Sequence, residues 1–163
     1  MTNDPDPRRA QVERASEQLT RGMQLHRFGV CEEALRCFDE CLEIQPLNEL
    51  ALYFKGNALR ALNRHDEAID AYQRAVSMDP GYADAWENMG VSQGALGRHQ
   101  EAIDCFSRAL AINAADAHWL AMKGSALQNL GRWAEAEQCC AEAEQRDPNL
   151  RIDRRGGTAQ SRT

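Results

Sequence analysis

Lysine is nearly missing from this chain: of its 19 basic residues, all but Lys55 and Lys123 are Arg. Residues suited to strands are scarce as well, with 13 Val, Ile and Thr together among 163. β-Branched side chains lose χ1 freedom in a helix and suit a pleated surface, so this poverty excludes an all-β fold. The 25 Ala point toward helix. No apolar run approaches the roughly 20 residues that cross a bilayer. Met1 to Arg9 hold no apolar segment like that of a signal peptide. A cytoplasmic protein with no membrane insertion is therefore expected. With 25 acidic residues and a net charge of -6, the chain also lacks the clustered cations that phosphates require, and no nucleic-acid partner is expected.

What is present is a period. Pro46, Pro80 and Pro148 fall on one lattice of 34 residues, with Ala114 in the vacant slot. Gly22, Gly56, Gly90 and Gly124 share that spacing, as do Ala34, Ala68, Ala102 and Ala136. So do Glu33, Glu67, Glu101 and Glu135, and the bulkier row Phe38, Tyr72, Phe106 and Cys140. A fixed period of this size is the mark of a repeat architecture. Each unit reads as two helical segments split by a turn at Gly29, Asn63, Gly97 or Gly131. Asp6-Pro7 reads as a helix cap followed by a first-turn Pro, so the first helix is expected from about Pro7 to Phe28. Asp79-Pro80 and Asp147-Pro148 are expected to close one helix and begin the next.

These rows resemble the tetratricopeptide repeat (TPR), and Trp86, Met89-Gly90, Gly97, Ala102, Phe106 and Ala109 match its pattern best. The resemblance implies an all-α fold, a right-handed superhelical TPR solenoid of four helix-turn-helix repeats and eight helices. The repeat domain is placed at 15–150, as units 15–48, 49–82, 83–116 and 117–150. Residues 1–14 form an N-terminal extension partly continuing into the first helix. Residues 151–163 form a basic tail, read as solvated and flexible because it lacks apolar periodicity. Glu137 and Glu144 replace the apolar residues of earlier units and would be costly under a fifth repeat, so the array is expected to stop at four.

Six cysteines invite a metal or redox reading, centred on Cys31, Cys37 and Cys41. No Cys-x-x-Cys or paired His completes a tetrahedral ligand set, and Cys41 and Cys140 occupy core slots of the repeat. They read as small core residues, and no metal or cofactor is expected. His65 and His99 share one slot and read as packed imidazoles. No nucleophile with its base, no phosphate loop and no paired-carboxylate motif occurs, so the chain is read as not an enzyme.

The family resemblance implies a concave groove lined by the first helix of each pair, where a peptide or partner helix docks. Helical spacing places positions 2, 5, 6, 9, 12 and 13 of each unit opposite the core stripe. The candidate groove residues are Leu19, Met23, Leu50, Tyr53, Phe54, Asn57, Arg60, Asn88, Val91, Met122 and Ser125. Leu19, Met23, Leu50, Tyr53 and Phe54 together exceed what a solvated face needs, and an exposed apolar patch marks a binding site. The alternative is that the long first helix, or its N-terminal extension, folds partly over this patch.

The segment Phe54-Lys55-Gly56-Asn57-Ala58 also resembles the repeats of heat-shock-protein co-chaperones, which grip a terminal carboxylate with two Asn and three cations. Here the Asn slots fall on Asn57 and Asn88, but the cation slots fall on Tyr53, His118 and Met122. The expected function is therefore a protein-interaction adaptor or scaffold. Its partner is a protein or peptide with an apolar, neutral or basic segment, since residues 15–150 carry 12 cations against 21 anions. The alternatives are a self-assembling scaffold, with a homo-oligomer, or a co-chaperone with a non-standard clamp.

Overall fold

The computed structural model describes residues 6–152. Among them the chain forms eight helices: α1 (Pro7–Arg27), α2 (Cys31–Ile44), α3 (Glu49–Ala61), α4 (His65–Met78), α5 (Ala83–Ala95), α6 (His99–Ile112), α7 (Ala117–Asn129) and α8 (Trp133–Arg146). The 34-residue lattice reappears in their starts. α2, α4, α6 and α8 each begin 34 residues after the one before, and so do α3, α5 and α7. The part of the tail at 153–163 lies outside the described residues.

Two compact units make up the chain, Met1–Pro80 and Gly81–Thr163. In the first, α1 packs on α2, α2 on α3 and α3 on α4; in the second, α5 packs on α6, α6 on α7 and α7 on α8. The Gly row explains how closely each pair comes together. A Cβ added at Gly22 would lie 2.6 Å from the Phe38 ring, and one at Gly56 would lie 2.5 Å from the Tyr72 ring. Phe38 and Tyr72 are fully buried, as are the Ala residues of the answering row. One lattice supplies the hole and another the knob that fills it.

The turns within pairs sit where backbone chemistry demands. Gly29, Gly97 and Gly131 have φ of 78°, 74° and 73°, and Asn63 takes the same left-handed conformation at 58°. Gly enters that region freely and Asn tolerates it, which accounts for the choice of residue at all four turns. Helix starts are capped by Asp6, Asn48 and Asp116, whose side chains accept from Arg8 N, Ala51 N and Trp119 N. The Glu row belongs to the first turns of the second helices. There Glu67 accepts two bonds from Arg64, both at 2.7 Å, and Glu135 accepts two from Arg132, at 2.7 and 2.6 Å. Carboxylates at that end also oppose the positive pole of the helix.

One expectation changes. Pro80 does not open the following helix: it sits in a turn, as Pro46 and Pro148 do, and α5 begins only at Ala83. For α3, the cap is supplied by Asn48, and the helix starts after that side chain rather than at the Pro ring. Residues 7–14 give no support to the alternative in which the extension covers the apolar face. They continue α1 as a helix whose side chains there are exposed, with Val12 half in solvent. Glu137 is exposed and Glu144 half-buried on α8.

Candidate partner-binding site

In the first unit, α1 and α3 lie in contact. Their candidate face carries Leu19 and Met23 from α1, and Leu50, Tyr53, Phe54, Asn57 and Arg60 from α3. These residues do not share one environment. Leu50 is 44% exposed and Met23 37%, whereas Leu19, Tyr53, Phe54 and Arg60 are half-buried. Leu19 and Phe54 pack on the cluster of Cys31, Ala34, Phe38 and Ala58, so their inner edges belong to the core. Phe54 stacks on Phe38 with ring centroids 6.2 Å apart, and Tyr53 meets Phe54 edge-on at 5.2 Å.

Asn57 is buried, at 8% exposure. The Tyr72 hydroxyl donates to its Oδ1 over 2.7 Å. Tyr72 is also hydrogen-bonded to Arg60, and burial raises its hydroxyl far above the ordinary phenol range. Helical spacing alone places Asn57 on the face, but it gives no sign of this bond from the paired helix. Near them, burial and then the Arg60 charge hold the His26 imidazole below its usual pKa.

In the second unit, Val91, Met122 and Ser125 meet around one cavity of about 190 Å³ formed by α5, α6 and α7. Phe106 lines it, while Gly94 and Asn129 contribute to its border. Val91 and Met122 are half-buried against the core of that unit, and Ser125 is exposed. Gly94 had a legible signal that spacing arguments overlook. It fills a slot held by His26, Arg60 and Gln128 in the other repeats, and a Cβ there would meet nothing within 4 Å. The missing side chain leaves the cavity open. Asn88 is half-buried on α5. Beside it, Glu87 accepts from the Trp119 indole over 2.8 Å and lies 3.6 Å from His118 Nε2.

The thiols are all free, five of them buried and Cys139 partly so. Burial pushes the Cys105 thiol up to about 12, which removes its thiolate near neutrality. Among the described residues no three His, Cys, Asp or Glu side chains gather as a metal site, and no helix is long and apolar enough to cross a membrane.

Comparison with known proteins bears on the repeat fold. Family models described as TPR repeat and tetratricopeptide repeat match residues 56–97, 83–115 and 118–150. The protein O-mannosyl-transferase TMTC1 of Mus musculus is 40% identical over 63 residues, 36% of this chain and 7% of that protein. The chain thus spans less than a tenth of that relative's length. MamA, with solved structures that include one from Desulfovibrio magneticus RS-1, superposes with a TM-score of 0.81. The identity is 22%, over 89% of this chain and 82% of the other. YrrB, a TPR protein with an unusual peptide-binding site, gives a TM-score of 0.74 at 23% identity, over 88% of this chain and 76% of its own. At such identities the likeness establishes the fold.

Proposed function

Because the chain belongs to the tetratricopeptide repeat family, we propose that it is a protein-interaction adaptor, not an enzyme, that receives an apolar peptide segment or helix on its first helices. Met23 and Leu50 carry this reading. They leave much of their apolar surface in water, on a face shared with Leu19, Tyr53 and Phe54. Burying such surface is the main source of association energy. The peptide-binding site of the YrrB relative supports the same use of the fold. An acidic repeat body favours neutral or basic flanks in the partner. Six unpaired thiols suit a reducing, cytoplasmic setting.

The test separates binding from folding. Phe54 is left intact, since its stacking on Phe38 would confound the result. Met23→Ser, Leu50→Ser and Tyr53→Ala combined should abolish capture of protein partners from native extract and preserve the helical circular dichroism. Undiminished capture would reject this face.

Self-association is the second reading, favoured by Phe28 and Leu47. They are 79% and 76% exposed and lie outside the candidate face. Light scattering over a concentration series distinguishes it from a monomeric adaptor.

A further inference from the structure

Among the described residues of the first unit, the only Lys or Arg side chains that are not exposed are Lys55 and Arg60, both half-buried. Lys55 has its counter-charge: Nζ lies 2.6 Å from Asp39 Oδ1. Arg60 has none among the described residues, in a chain with 25 carboxylate side chains. Its Nε is buried and meets no acceptor. Removing a guanidinium from water is costly unless an anion faces it. The side chains recorded against it, Tyr72 and His26, carry no negative charge. The Tyr72 hydroxyl bonds to Arg60 and donates to Asn57, so both are engaged with each other. His26 on α1 is held below its usual pKa, and near neutral pH it adds no charge.

The nearby residues make this spot part of the apolar face. Met23 and His26 lie one helical turn apart on α1, as Asn57 and Arg60 do on α3. We propose that Arg60, with His26 beside it, seats the side-chain carboxylate of an Asp or Glu in the partner segment whose apolar residues cover Met23 and Leu50. The assignment rests on the apolar-face reading above and adds a fixed point to it. Arg60 stands apart from the co-chaperone clamp, whose cation slots fall here on Tyr53, His118 and Met122. A guanidinium suits this role because its rigid fork matches a carboxylate, and partial burial strengthens the pair.

Three peptides test it on the full chain: acetyl-Leu-Leu-Glu-Leu amide, its Gln counterpart, and the Gln peptide ending in a free carboxylate. The readouts are the dissociation constant and the Arg60 Nε–H resonance. The Glu peptide should bind about tenfold tighter than either other peptide, as expected for a charge-assisted bond. It alone should shift the Arg60 resonance saturably. Arg60→Gln should erase the preference, Arg60→Lys should keep part of it, and Arg27→Gln, an exposed cation on α1, should leave it intact.

Equal binding of the Glu and Gln peptides, or no binding of either at millimolar concentration, overturns the proposal. So does an equal effect of the free-carboxylate peptide, which would make the chain terminus the source. An Arg60 shift with protein concentration alone would assign the site to a second copy and overturn it too. Equal binding that Met23→Ser and Leu50→Ser still abolish removes the carboxylate seat and leaves the apolar face standing.

Discussion

At the scale of single residues, four glycines on one lattice do different amounts of work. The Cβ of Ala at position 56 would strike three ring atoms of Tyr72 at 2.5 to 2.8 Å, and that ring is fully buried and bonded to Asn57. At position 124 the nearest atom is Cys140 Sγ, at 3.0 Å. Gly56→Ala should therefore destabilise the protein by about 1–3 kcal/mol, the usual cost of overpacking, and Gly124→Ala by less. Gly94→Ala should do the opposite. Its Cβ meets nothing within 4 Å, and Ala gains roughly 0.5–1 kcal/mol over Gly inside a helix. Urea unfolding of the three variants gives the order directly. The same residues show what a sequence hides. The row of Gly56 was legible as a period, but the hydroxyl of Tyr72 bonding to Asn57 was not, because it joins two helices whose faces are read separately.

At the scale of elements, helix starts depend on a few side chains. Asp116 accepts from Trp119 N over 3.0 Å at the head of α7, and Asn48 accepts from Ala51 N over 2.9 Å at the head of α3. Asp116→Ala should cost about 1 kcal/mol, as N-cap losses do, and thermal unfolding measures it. The eight helices and their turns were readable from the 34-residue period and the Gly or Asn between segments. The Pro residues were misleading, because a Pro can precede a helix through a turn as well as open it. The candidate face was readable in part. Leu50 and Met23 are as open as spacing suggests, but Leu19, Phe54, Val91 and Met122 lie at the margin of the apolar stripe. A stripe more than 100° wide takes in such positions, and a residue there serves core and surface together. Periodicity assigns each residue to one side and so misses this double use.

At the scale of the whole molecule, charge and apolar exposure combine into one account. The body at 15–150 is acidic, with 21 anions against 12 cations, yet its first unit holds a half-buried Arg with no carboxylate against it among the described residues. The partner this describes is largely apolar, neutral or basic in its flanks, with one acidic side chain set among its apolar ones. The repeat fold supplies the scaffold for this arrangement, and the choice of partner lies in the residues of the first helices. The most direct test is hydrogen exchange of the full chain with and without its captured partner. The account predicts added protection in α1 and α3, including the peptides around Met23, Leu50 and Tyr53, and little change in α2 and α4. Protection confined to α2 and α4, with α1 and α3 unchanged, would contradict it.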